Sequence, residues 1–337
     1  MIENRYSKQI LFQQIGPEGQ EKISRSKVAV IGIGALGTVI SSQLCRAGVG
    51  YLRLIDRDFV ELSNLQRQIL FDEEDVRSRL PKAVAAAGKL RAANSEITIE
   101  DVVTDVTARN VEQLISGVDI VLDGTDNLET RFLINDASLK TKKPWVYGGA
   151  LGSHGMTMNV IPGKSACLRC LLPESPPPGA MQNCDTDGVL GAATGVVASL
   201  QAAEALKYLV GREPRPTLLI IDVWDGEFVE LTVQPRPHCP ACDKGEYEYL
   251  AGTRTSWTTA LCGRNAVQIV PPKEHQIPLH ELQERLSRVG RTSYNGFLLS
   301  FEAEGRELML FPTGRAIIRG TTDEAEARTF YTRYVGL

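Results

Sequence analysis

Lys27-Val28-Ala29-Val30-Ile31-Gly32-Ile33-Gly34-Ala35-Leu36-Gly37 is the stretch that decides the fold. The first five residues are apolar or β-branched after the lysine and end at a glycine, which predicts a short, fully buried parallel strand. Gly32-x-Gly34-x-x-Gly37 then opens a helical run from Thr38 to Ala47. A second strand, Tyr51 to Ile55, ends at Asp56. Strand, glycine loop, helix and a terminal acid form the dinucleotide fingerprint: the glycines let backbone N–H groups approach a phosphate, and the acid accepts ribose hydroxyls. The pattern marks a nucleotide site without separating NAD from ATP.

The same alternation continues outward. Ile97–Val103, Asp119–Leu122 and a strand beginning at Pro144–Tyr147 alternate with helical stretches over Pro81–Ala93 and Ala108–Ile115. This predicts an α/β fold, a Rossmann-like doubly wound and mostly parallel sheet. Glu174–Gly179, with three consecutive prolines, is a stiff loop before a long small-residue helix over Val189–Leu209. Asp225-Gly226 joins Leu218–Val223 to Glu227–Val233 as a hairpin. From about residue 255 the pattern changes to a helix over Leu279–Val289, three short strands (Phe297–Ala303, Arg306–Phe311, Arg315–Arg319) and a last helix over Asp323–Tyr334. Two domains are expected: 1–250, and a small α+β accessory domain over 255–337.

Seven cysteines and no secretory leader argue against a disulfide framework and for a cytoplasmic chain. Four of the seven form two Cys-x-x-Cys pairs, Cys167/Cys170 and Cys239/Cys242, which can give four thiolates to one tetrahedral Zn²⁺. Such a site is closed and structural, and here would clip two distant loops together. Cys45 and Cys262 read as small core residues. His154 carries no assignment, and Trp145 and Trp224, at strand positions, read as packing. The 337 residues are 43% apolar and 23% charged, ample for a sizeable core. The net charge of −4 gives no basic footprint for nucleic acid, and no apolar run approaches a membrane span.

Beyond Asp56 the sequence departs from what a redox dinucleotide needs. Ser63-Asn64-Leu65-Gln66-Arg67, Lys82 and Gly124-Thr125-Asp126-Asn127 offer a guanidinium, an ammonium and a metal-binding carboxylate, the groups a triphosphate calls for. An NAD-dependent oxidoreductase, the alternative, leaves these and the paired cysteines without a purpose.

Taken in order with Arg5-Tyr6-Ser7-Lys8-Gln9, these motifs resemble the ThiF/MoeB family, bacterial relatives of ubiquitin-activating enzymes, over residues 4–243. The resemblance implies an adenylyltransferase. It would join ATP to the C-terminal Gly-Gly carboxylate of a ubiquitin-like sulfur carrier, for thiamine thiazole or molybdopterin synthesis. It further implies that Gly32, Gly34 and Gly37 line the nucleotide and Asp56 holds the ribose, while Asn64, Arg67 and Lys82 hold phosphates and Asp126 binds Mg²⁺. In the family a basic N-terminal residue crosses a homodimer to the partner's ATP. Lys8 stands at that position where arginine is usual, so its contact would be monodentate. Cys184, after the proline-rich loop, matches the family's cysteine on a mobile crossover and could attack an acyl-adenylate or persulfide. No rhodanese-type loop is visible, so sulfur would come from a separate protein such as a cysteine desulfurase.

Overall fold

A computed structural model of the chain describes residues 5–174, 187–252, 258–261, 265–271 and 276–335. Two compact units divide it, Met1–Arg254 and Thr255–Leu337.

The first unit is built on eight strands: β1 Lys27–Ile31, β2 Tyr51–Asp56, β3 Thr98–Val103, β4 Ile120–Asp123, β5 Trp145–Leu151, β6 His154–Val160, β7 Leu218–Asp222 and β8 Glu227–Leu231. Their order is β3-β2-β1-β4-β5-β6-β7-β8. The strands from β3 to β5 are parallel, and β5 to β8 are antiparallel. Chain order reverses between β1 and β4, so the crevice at their carboxyl ends is where an open α/β sheet takes its ligand.

Alternation along β1 explains why it is apolar throughout. Val28 and Val30 join one core with Ile40 and Leu44 of the Ala35–Ala47 helix and with Val197, Ala198, Ala202 and Ala205 of the Gly191–Leu209 helix. Ala29 and Ile31 face the opposite core, with Phe132 of the Leu128–Thr141 helix, Trp145, Tyr249, Cys167 and Cys239. A strand sandwiched between helical layers has no solvent face for polar residues.

The second unit is one antiparallel sheet of β9 Thr258–Leu261, β10 Ala266–Ile269, β11 Arg291–Tyr294, β12 Leu299–Ala303, β13 Arg306–Leu310 and β14 Ala316–Arg319, ordered β11-β12-β13-β14-β10-β9. The Leu279–Leu286 and Glu324–Tyr334 helices bury Leu282, Leu286, Phe330 and Tyr331 against Phe301, Leu308 and Ile318. Sequence reading expected three strands here, those of β12, β13 and β14; β9, β10 and β11 are additional. The helix expected over Ala108–Ile115 contracts to the single turn Val111–Leu114, because Asn110 ties back to Thr107 N and Asp105 O instead. Trp224 is no packing residue: it lies in the turn after β7 and is 77% exposed, whereas Trp145 is fully buried.

Candidate active site

The glycine loop closes the crevice by backbone contact. Gly32 has φ +85°, a conformation that favours glycine. A Cβ on Gly37 would stand 1.9 Å from the Gly32 carbonyl oxygen, and one on Gly124 would stand 2.2 Å from it. These three glycines therefore hold the ends of β1 and β4 and the following helix together. Gly34 is different, since a Cβ there would meet nothing closer than Gln68 Nε2 and Gly124 O at 3.9 Å. It precedes the 13-residue Ala35–Ala47 helix, whose N-cap is filled by no side chain. Free N–H groups and the positive end of the helix dipole thus face open space.

Asp56 braces the loop. Its Oδ2 accepts from Ile33 N at 2.7 Å and its Oδ1 from Asp58 N at 2.7 Å. Burial pushes its carboxyl pKa up, against the opposing pull of Lys82. Each carboxylate oxygen keeps a lone pair for a ribose hydroxyl.

Lys82 is the most telling side chain. It begins the Lys82–Ala93 helix after Pro81, with its backbone N–H donating to Asp58 O at 2.8 Å. Its side chain is 7% exposed, yet its Nζ lies 3.8 Å from Asp58 Oδ2 and hydrogen-bonds no described residue. A sequestered ammonium without an acceptor is costly unless an anion completes it. Nearby Arg57 is bonded to both Asp105 oxygens at 3.0 and 3.1 Å; although burial works against its charge, the surrounding carboxylates of Asp105, Asp58 and Asp126 hold its pKa above the usual arginine value.

Asn64 closes the short Leu62–Asn64 turn, buried, with Oδ1 accepting from Glu61 N at 3.2 Å. Arg67, half-buried, donates to Ser63 O at 2.9 Å. This turn is pressed against the start of the Gly191–Leu209 helix, where a Cβ on Gly191 would come 3.0 Å from Gln66 O.

At the end of β4, Asp126 is exposed and bonds to no described residue. Two residues that sequence reading passed over set the loop that carries it. Buried Asp123 accepts from Thr125 N at 2.9 Å, from Thr125 Oγ1 at 2.7 Å and from Arg131 Nε at 3.1 Å; Arg131 Nη2 also donates to Thr125 O at 2.5 Å. Burial raises the Asp123 pKa while Arg131 opposes the shift. No sequence signal marks the pair: Arg131 lies eight residues on, in the first turn of the Leu128–Thr141 helix that Asn127 caps.

The four paired cysteines converge. Sγ–Sγ separations are 3.9 Å for Cys167–Cys170, 3.7 Å for Cys167–Cys239 and 3.5 Å for Cys170–Cys242, and all four sulfurs lie within 4.8 Å of one another. A zinc tetrahedron with Zn–S of about 2.3 Å has edges of about 3.8 Å, so the sulfurs fit such an ion. Burial and the neighbouring sulfurs push the Cys167 thiol up to about 12, a cost that a divalent cation offsets. The clip docks on the Leu128–Thr141 helix: Asn135 Oδ1 accepts from Leu168 N at 2.9 Å, Asp136 Oδ2 from Tyr249 N at 3.0 Å, and Phe132 stacks on Tyr249 at 4.7 Å.

Other expectations fall elsewhere. Lys8 is exposed on the Ser7–Ile10 turn. Cys45 is core, with Sγ 3.4 Å from Leu90 O. His154, exposed, pairs with Asp222 at 3.2 Å. Cys184 and Cys262 lie outside the described residues. Among the described residues no helix is long and apolar enough to cross a membrane.

Fold and site together define a nucleotide-binding α/β protein with a glycine loop at the sheet's switch point and a cluster of four cysteines that could hold a metal ion. The chain belongs to the ThiF family, whose model matches residues 6–241. It is 42% identical over 335 residues, 98% of this chain and 99% of the other, to the sulfur carrier protein ThiS adenylyltransferase of Bacillus subtilis (strain 168). It is 38% identical over 265 residues, 74% of this chain and 97% of the other, to a sulfur carrier protein adenylyltransferase of Thermus thermophilus. An adenylyltransferase and sulfurtransferase MOCS3 of Culex quinquefasciatus is 42% identical over 71% of this chain, which covers 55% of that protein. Among solved structures, Escherichia coli MccB superposes with a TM-score of 0.64 at 24% identity, over 72% of this chain and 73% of that one, a likeness of fold.

Proposed function

We propose that this protein is an ATP-dependent adenylyltransferase that activates the C-terminal Gly-Gly carboxylate of a ubiquitin-like sulfur carrier. The observation that carries the reading is the sequestered Lys82 ammonium beside a glycine loop with uncapped N–H groups: a site prepared for more anionic charge than Asp58 supplies. The near full-length relative, named for ThiS, favours thiamine thiazole synthesis over molybdopterin, and none of the relatives above is an oxidoreductase.

A carboxylate is a poor acyl donor because its leaving group would be oxide. Attack of the carrier's terminal oxygen on the α-phosphorus, with departure of pyrophosphate, creates a mixed anhydride whose leaving group is AMP. The protein's share is positioning and charge neutralisation. Asp56 orients the ribose, the Gly34 face admits the α-phosphate, Asn64 hydrogen-bonds phosphate oxygens, and Arg67 and Lys82 offset charge on the oxygens of the departing pyrophosphate. Asp126 would hold Mg²⁺, which supplies further neutralisation of the phosphates. Cys167, Cys170, Cys239 and Cys242 would hold Zn²⁺ in a closed, structural site. Residues 255–337 form the accessory domain, for carrier docking or dimer support.

The reading extends to a homodimer and a separate sulfur donor such as a cysteine desulfurase. Supporting the dimer, Leu11, Phe12, Leu62 and Ile69 are all more than half exposed on the segments that carry Lys8 and Arg67, apolar surface that a second copy would cover. Cys184 would act after adenylation, by attacking the acyl-adenylate.

The test is ATP–pyrophosphate exchange with purified ThiS-like and MoaD-like carriers. Exchange dependent on magnesium and on an intact Gly-Gly terminus is expected, faster with the ThiS-like protein. No incorporation of labelled pyrophosphate with either carrier refutes the proposal.

A further inference from the structure

Gln68 follows Arg67 and takes part in none of the roles above, yet its surroundings are those of a ligand-binding group. The residue is only 4% exposed. Its Oε1 is buried with no hydrogen-bond partner among the described residues. Its backbone is secured, with Gln68 N donating to Asn64 O at 3.0 Å and Phe71 N donating to Gln68 O at 3.2 Å, so the loose end is the carboxamide alone. That carboxamide reaches the open position of the glycine loop, with Nε2 3.9 Å from where a Gly34 Cβ would stand and Gly124 O at the same distance.

A buried amide oxygen that accepts nothing forfeits the hydrogen bonds it had with water, and native proteins tolerate few such groups. An apolar side chain of the same length would fill this place at less cost. The carboxamide instead offers a donor and an acceptor to the one side of the glycine loop where the protein leaves room.

We propose that Gln68 is a nucleotide-binding residue of this site, donating through Nε2 to an α-phosphate oxygen and accepting through Oε1 from a ribose hydroxyl or a phosphate-bound water. This inference rests on the adenylating reading and deepens it by adding a second neutral carboxamide, beside Asn64, to the residues that hold the nucleotide. A carboxamide can stay hydrogen-bonded while charge on the phosphorus oxygens changes, and it neutralises none of it. Gln68 therefore acts in binding and alignment and leaves charge compensation to Lys82 and Arg67.

The test separates a ligand role from a packing role by sign. In full-length Gln68→Met, which keeps length and volume, the empty protein is expected to melt at the same temperature or higher, since a buried unpartnered carbonyl oxygen is gone. The Kd for Mg-ATP, read by calorimetry, is expected to rise roughly tenfold or more, the loss of hydrogen bonds to a charged group. Gln68→Glu, nearly isosteric, places a carboxylate against phosphate and is expected to weaken ATP binding further still. Unchanged ATP affinity in either folded variant overturns the proposal, as does a lowered melting temperature of Gln68→Met with affinity retained. Failure of the wild-type chain to bind Mg-ATP at all would instead overturn the adenylating reading itself.

Discussion

Substitution at two glycines three residues apart separates the backbone that builds the crevice from the space left for a nucleotide. At Gly37 a Cβ would lie 1.9 Å from the Gly32 carbonyl oxygen, roughly 1.5 Å inside ordinary van der Waals contact, and the clash sets the first turn of the Ala35–Ala47 helix against the main chain that follows β1. Overpacking of flexible core side chains costs about 1–3 kcal/mol; two rigid main chains have less room to give, so Gly37→Ala is expected to lose at least ~3 kcal/mol. At Gly34 the nearest atoms stand 3.9 Å away, and Gly34→Val is expected to keep stability within about 1 kcal/mol while its branches fill the approach to the helix N-terminus. Loss of a single backbone N–H bond to a charged phosphate, about 1.5–3 kcal/mol, corresponds to a rise in the ATP Kd of roughly 10- to 150-fold. Urea denaturation and calorimetric ATP titration of both variants give the two readouts. A Gly34→Val protein that binds ATP as the wild type does, or a Gly37→Ala protein of wild-type stability, refutes this division of the loop.

Three further outcomes follow from the same geometry. Asp126→Ala is expected to abolish carrier-dependent exchange while leaving zinc content and melting temperature unchanged, because this exposed carboxylate bonds to no described residue; retained exchange counts against its place in the metal site. Chelation of zinc, or Cys239→Ser, is expected to destabilise the first unit by on the order of 4 kcal/mol, the loop-closure entropy of a cross-link joining residues 72 apart; metal analysis finding no zinc in purified protein would remove the clip. Burial raises the Asp136 carboxyl to about 6, so the fold favours its protonated form. That contribution is complete below about pH 4 and disappears as pH rises through 6, about 3 kcal/mol in all and about 1 kcal/mol of it between pH 5 and 8. Denaturation of wild type and Asp136→Asn across that range should diverge with rising pH in favour of the variant, and parallel curves would disprove the shift.

Residues that act through backbone pattern were legible in the sequence. The run from Lys27 to Gly37, Asp56 at the end of the next strand and the two cysteine pairs each announce their geometry, because a tight loop or a tetrahedral ion demands fixed spacing. What escaped depends on tertiary placement. The Leu128–Thr141 helix was hidden because Asn127 reads as part of a nucleotide motif, whereas its side chain caps that helix. β6 escaped because its pairing with β5 is set by the Gly152–Ser153 turn and not by a strong apolar run. Lys82 was legible as a phosphate-binding ammonium, but its burial at the start of a helix was not, since the sequence pattern there does not say which way the side chain is turned. The Asp123–Arg131 pair and the orphaned Gln68 carboxamide are likewise visible only once β1, β4 and the turn after β2 converge.

The placement of Lys82 has a consequence for the molecule at rest. A cation withdrawn from water and offered no hydrogen-bonding oxygen among the described residues leaves the empty protein short of its most favourable state, and a bound polyanion completes the interior as a last core residue would. Substrate and folding ligand are then the same molecule, and this chain's resistance to unfolding should follow the cell's supply of nucleoside triphosphate.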